Sequence, residues 1–160
     1  MSRLDQRIHE CSEVKEDMID EKFLEPIYTI GIAARKLGIS VHTLRLYGAE
    51  GLIVPYKTET GRRIYSDLEI EKVKCIRKMI QEDGLNFEGI RRMLALVPCW
   101  KLRECGASQE KRCNAFEERT RPCWASEERC LHPLPSCRDC AVYQRLVNCR
   151  DIQRYIFQSY

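Results

Sequence analysis

From residue 27 to residue 97, apolar positions recur at helical intervals and are punctuated by residues that start or stop helices. Ala33, Ala34 and Leu37 share one helical face and predict a helix over 31–37. Gly38 follows, a residue suited to a left-handed cap. Ser40 is placed to cap a second helix from Val41 to Ala49, with Leu44 turned inward. Gly51-Leu-Ile-Val-Pro55 breaks that helix and runs into an extended stretch. Glu59-Thr-Gly61 supplies a turn before Arg62-Arg-Ile-Tyr65, so strand, turn and strand form a small β-hairpin. Ser66-Asp-Leu-Glu69 is a capping box opening a helix that packs through Leu68, Val73, Ile76 and Ile80 and stops at Asp83-Gly84. Asn86 caps a last helix whose inner face is Phe87, Ile90, Met93, Leu94 and Val97. Helix, glycine turn, helix and hairpin define a mainly α, winged helix-turn-helix architecture.

The flanks differ in kind. Residues 1–26 mix charge with scattered apolar residues (Ile8, Val14, Met18, Ile19, Phe23, Leu24) and end at Pro26, as a short amphipathic helix or an arm would. Beyond residue 97, Pro98-Cys-Trp100 recurs as Pro122-Cys-Trp124, an internal repeat. Each copy is followed by further cysteines: Cys99, Cys105 and Cys113, then Cys123, Cys130 and Cys137, with Cys140 added. Apolar residues between them are too sparse for a conventional core, so something else holds this region together. From Arg138 onward the pattern is helical again, with Val142, Leu146, Cys149, Ile152 and Ile156 on one face of a helix over 141–158. The expected division is an arm (1–26), a helix-turn-helix domain (27–97), a cysteine-rich region (98–140) and a terminal helix (141–160).

Charge sharpens this division. The net charge of +3 hides an acidic arm, with four Lys/Arg against eight Asp/Glu in 1–26, and a basic middle, with twelve against eight in 27–97. A basic segment is where a polyanion binds. No run approaches the roughly 20 apolar residues of a membrane span. Met1-Ser-Arg-Leu-Asp-Gln-Arg-Ile lacks the apolar stretch of an export signal, so a cytoplasmic protein with no membrane partner is expected.

Ten cysteines in a reducing compartment point to metal ligands or redox chemistry rather than to a disulfide scaffold. Cys137-Arg-Asp-Cys140 is a CxxC, able to grip a metal from a tight turn. The ligand candidates are Cys99, Cys105, Cys113, Cys123, Cys130, Cys137 and Cys140. Their number exceeds one tetrahedral site, which favours an iron–sulfur cluster over zinc, the alternative. Thiol–disulfide switching is a further reading. Trp100 and Trp124 would shield the site or form a minimal core, and His132 is a ligand or a turn residue. Cys75, inside a helix, and Cys149, on an apolar face, read as inert packing residues. An enzyme using the CxxC would need a βαβ setting that is missing, so no catalytic site is expected.

The residues Tyr28-Thr-Ile-Gly31, Leu37-Gly-Ile-Ser-Val-His-Thr-Leu-Arg45, Tyr47, Glu50-Gly-Leu-Ile53, Gly61-Arg-Arg-Ile-Tyr-Ser66 and Gly89-Ile-Arg-Arg-Met-Leu94 resemble the DNA-binding domain of the MerR family. In a helix-turn-helix, the N-terminal part of the second helix enters the major groove, which selects Val41, His42 and Thr43, with Arg45 one turn on. The resemblance adds Tyr47 and, on the wing, backbone contacts from Arg62, Arg63 and Tyr65. It implies a homodimer on double-stranded promoter DNA, acting on RNA polymerase indirectly through promoter shape. Leu46 and Gly48 depart from the family pattern, and Gly48 is expected to shorten or bend its helix. Pro98 replaces the long coiled-coil helix of the family, leaving the terminal helix either to form the dimer contact or to pack on the cysteine-rich region. Two regulators fit: a sensor whose cysteines bind a metal or cluster or respond to redox state, and a constitutive HspR-like repressor or adaptor with structural zinc.

Overall fold

The computed structural model describes residues 19–102, 119–126 and 135–157, apart from the side chains of Trp100 and Lys101. A single helical turn, α1 (Glu21–Leu24), is capped by Asp20, whose carboxylate accepts from the Lys22 amide at 3.1 Å. The chain then enters the short strand β1 (Tyr28–Thr29) and passes into α2 (Ile30–Leu37). Gly38 ends α2 at φ 63°, and the amides of Gly38 and Ile39 satisfy the free carbonyls of Arg35 and Ala34. Helix α3 (Val41–Ala49) follows. It runs through Gly48 to Ala49 without stopping early, with buried Leu44 and Tyr47 anchoring the turn before that position to the core.

The wing is a hairpin of β2 (Tyr56–Lys57) and β3 (Arg63–Tyr65), paired Tyr56 to Ile64 and Lys57 to Arg63. β1 pairs with the other edge of β3, so the antiparallel sheet has the order β1-β3-β2. This third strand was not expected, since two residues carry no readable alternation. Helix α4 (Asp67–Gln81) opens on the predicted capping box, with the Glu69 carboxylate accepting from the Ser66 amide at 2.8 Å. Helix α5 (Phe87–Ala95) opens on Asn86, whose Oδ1 accepts from the Gly89 amide at 2.8 Å. Ala33, Leu44, Leu68, Val73 and Ile90 are completely buried between these helices. Each such aliphatic side chain larger than alanine contributes about 1.5–3 kcal/mol.

The carboxy-terminal part joins the same core. It comprises α6 (Cys99–Leu102), tight turns at Cys123–Ala125 and Cys137–Asp139, α7 (Ala141–Arg145) and α8 (Cys149–Phe157). Leu102, Cys140, Val142, Leu146 and Ile152 are buried in one cluster with residues of α2, α3 and α4. The single helix expected over 141–158 is therefore two. The break has a cause in α4: buried Lys72 donates from Nζ to the Tyr143 carbonyl at 2.6 Å and also to the Leu146 carbonyl, which a continuous helix would have used internally. α8 then lies against α4, and Cys75 and Cys149 form a disulfide, not the inert thiols read from the sequence.

Candidate nucleic-acid interface

The Ser40 side chain fixes the start of the reading helix. Its Oγ accepts from the Thr43 amide at 2.9 Å and lies 2.8 Å from the Thr43 hydroxyl. The first turn thus has its free amides satisfied and a defined orientation. His42 projects into solvent from this turn and Arg45 from the start of the next, while Val41 and Thr43 are half-buried. The wing tip is locked by Thr58, whose amide donates to the Arg62 carbonyl at 2.9 Å and whose hydroxyl accepts from the Arg62 amide at 3.0 Å. Gly61 closes the turn at φ 79°, in the left-handed region that favours glycine. Arg62 is exposed and Arg63 half-exposed beyond it.

Two of the expected DNA contacts are buried. Tyr47 is 5% exposed and packs edge-on to Phe87 with ring centroids 5.8 Å apart. Tyr65 is 1% exposed, and its hydroxyl has no hydrogen-bond partner among the described residues. Burial raises both phenol pKa values, with Arg77 opposing the shift at Tyr47 and Arg63 and Arg45 opposing it at Tyr65. These rings set the positions of α3 and the wing from inside. Arg91 ties α5 to the end of α3. It donates to the Glu50 carboxylate and, at 2.8 Å, to the Glu88 carboxylate.

Behind α3 and the wing lies a buried polar junction that the sequence reading missed. Glu69 and Lys72 on α4 meet Tyr143 on α7, Arg138 in the preceding turn and Trp124 in the earlier one. The Tyr143 hydroxyl accepts from the Val54 amide at 2.8 Å and donates to Glu69 Oε1 at 3.4 Å. Trp124 Nε1 donates to the Gly51 carbonyl at 2.9 Å, and its ring meets that of Tyr143 edge-on at 5.3 Å. Arg138 lies 3.4 Å from Glu69 Oε1 and also donates to the Leu24 carbonyl. Burial lowers the Lys72 pKa to about 7 against the pull of Glu69 and Asp151, and burial raises that of Tyr143 well above its ordinary value. One signal was available: Lys72 falls midway between Leu68 and Ile76 on the apolar stripe of α4, a position where a solvated charge does not belong.

Of the seven candidate thiolates, Cys105, Cys113 and Cys130 lie outside the described residues, as does His132. Cys99 and Cys123, the cysteines of the two Pro-Cys-Trp repeats, line one small cavity with Leu94, Trp124 and Val142. Cys137 and Cys140 sit in a turn closed by the Cys140 amide on the Cys137 carbonyl at 3.1 Å. Among the described residues, no three Cys, His, Asp or Glu side chains converge as a metal site.

A capped, outward-facing helix beside an arginine-bearing hairpin places the first part of the chain in the winged helix-turn-helix class. Residues 28–96 match the family described as MerR HTH family regulatory protein, and this segment is a MerR-family helix-turn-helix domain. The chain is 37% identical over 71 residues to a Streptomyces coelicolor protein described as a heat shock protein, HspR, covering 44% of this chain and 47% of that one. It is likewise 37% identical over 71 residues to the mercuric resistance operon regulatory protein of Bacillus cereus, covering 44% and 53%. A crystal structure of HiNmlR, a MerR family regulator lacking the sensor domain and bound to promoter DNA, is 30% identical, with 58% of this chain and 70% of that chain covered and a TM-score of 0.38. The chain spans about half the length of these two curated relatives.

Proposed function

We propose that this chain is a sequence-specific, double-stranded-DNA-binding transcription regulator that acts in the cytoplasm as a homodimer and influences RNA polymerase through promoter shape. The observation that carries this reading is the exposure of His42 and Arg45 on the capped N-terminal half of α3, with Arg62 exposed on the adjoining wing. Arg45 reads a base edge, and the wing arginines hold phosphates. The test is binding to duplexes selected by the protein from a random pool, across a salt series. Arg45→Ala costs about 1–3 kcal/mol on the selected site and relaxes its sequence preference. Arg63→Ala weakens binding to all sequences alike and flattens the salt slope by about one unit. Indifference to duplex DNA at low salt would end the reading, and normal affinity with altered base preference in Arg63→Ala would end the wing assignment.

The cysteine-rich region supplies the sensing half of this proposal, through a metal or an iron–sulfur cluster. Support comes from two thiol pairs, Cys99 with Cys123 in one cavity and Cys137 with Cys140 in one turn. Paired thiols suit a soft metal, and a bound cluster would make the region responsive to oxidants. The docking of Trp124 and Tyr143 on the back of the winged helix favours a second reading, in which structural zinc holds a constitutive repressor together. Metal analysis and a visible spectrum after anaerobic purification separate the two. A band that bleaches in air marks the cluster, and colourless zinc-bearing protein marks the constitutive form.

A further inference from the structure

The Cys75–Cys149 disulfide ties α4 of the winged helix to α8 across 74 residues of sequence. Both cysteines help line an open surface depression of about 360 Å³. The rim carries Lys74, Lys78 and Arg150, with Glu71 paired to Lys74 at 2.6 Å and Glu82 3.9 Å from Lys78. The two sulfurs are not equivalent. Cys75 sits in the middle of α4 and is buried, whereas Cys149 is partly exposed at the first position of the nine-residue α8. A reagent entering from solvent therefore meets Cys149 first, among cations that attract an anionic reagent. A structural disulfide is ordinarily shielded from solvent; this one opens onto a cavity wide enough for a small molecule.

We propose that this disulfide is a reducible latch, opened by a low-molecular-weight thiol that bears carboxylates and closed, by the reverse exchange, by that thiol's own disulfide. The thiolate attacks Cys149 Sγ, forming a mixed disulfide there, and the Cys75–Cys149 bond breaks with its electron pair leaving on the Cys75 sulfur, which takes up a proton. A second thiolate attacks the reagent's sulfur in the mixed disulfide, forming the reagent's own disulfide. Cys149 leaves with the electron pair and is protonated. The protein disulfide gains two electrons, and two reagent thiols are oxidised to one disulfide. Opening the latch removes the covalent tie at the start of α8, where the chain is already non-helical at Leu146, and releases that helix from α4. The latch uses neither the reading face nor the cysteines of the 99–140 region, so it stands or falls independently of both.

The test is differential alkylation of the full-length protein equilibrated in glutathione redox buffers, with peptide mapping to follow Cys75 and Cys149 alone. Under oxidising ratios the two are recovered as one cross-linked peptide, and under reducing ratios both are alkylated. Amide exchange across 149–157 then speeds by roughly tenfold or more. Glutathione opens the bond faster, per thiolate, than cationic cysteamine. Reduced cysteines throughout the oxidising range, or a cross-link that persists in excess glutathione in folded protein, overturns the latch. Unchanged exchange in α8 overturns its mechanical role, and faster opening by cysteamine overturns the thiol class. The mapping uses the unmodified chain; Cys149→Ser, at the more exposed sulfur, provides a permanently open reference.

Discussion

Tyr143→Phe isolates the hydroxyl that joins the carboxy-terminal region to the winged helix. The phenyl ring is retained, and with it the edge-on contact to Trp124 and the stacking under Lys72, whose ammonium stands 4.1 Å from the ring centroid. What is lost is the acceptor for the Val54 amide at 2.8 Å and a donor to Glu69 at 3.4 Å. Leaving a buried backbone donor unpaired costs about 1–3 kcal/mol. At this chain length each kcal/mol moves the melting temperature by roughly 2–4 °C, so the midpoint falls by about 2–12 °C. Circular dichroism melting of wild type and variant measures it, with Tyr56→Phe as control because Tyr56 is 45% exposed on the wing. A midpoint unchanged from wild type would mean that Tyr143 does not seal the turn after α3, and the docking of the tail on the DNA-reading domain would have to be abandoned.

Two further perturbations bear on the same junction. Gly51 has φ +70°, and a Cβ there would lie 2.6 Å from the Ala125 Cβ. Gly51→Ala should therefore destabilise by about 1–3 kcal/mol in urea titrations. Adding Ala125→Gly should recover part of that loss, and no recovery would refute the contact. Lys72 loses its proton at about 7 in the fold, against an ordinary value of 10.5. Below pH 7 folded and unfolded chains both carry the proton and the burial penalty is complete. Between about 7 and 10.5 the unfolded chain binds more protons, so this group makes stability rise with pH. Denaturant midpoints from pH 6 to 9 should climb in wild type and climb less in Lys72→Met; equal slopes would exclude Lys72 as the titrating group.

The winged helix was legible because each of its cues is local. Gly38, Ser40, Gly61, the Ser66–Glu69 box and Asn86 act within a few residues of themselves, and all are found in the predicted roles. Leu44, set inward by its spacing, is completely buried. The candidate interface was legible only in part. Helical spacing separates exposed His42 and Arg45 from the core, but family resemblance alone could not tell that Tyr47 and Tyr65 face inward. The tail was illegible for a physical reason: its partners are about 70 residues away or more. Lys72 meeting Tyr143 and Leu146, Glu69 meeting Arg138, and Cys75 meeting Cys149 are long-range pairs with no periodic signature.

The turn after the reading helix is shaped from outside its own domain, through the Gly51 carbonyl, the Val54 amide and the space that Ala125 fills. Wing and tail are thus matched parts, and grafting either onto an unrelated counterpart would leave an amine, an amide and a carboxylate without their complements. Across descendants of this chain, positions 51 and 125, and 69 and 138, should change in concert, an inheritance pattern that a freely tethered sensor would not impose.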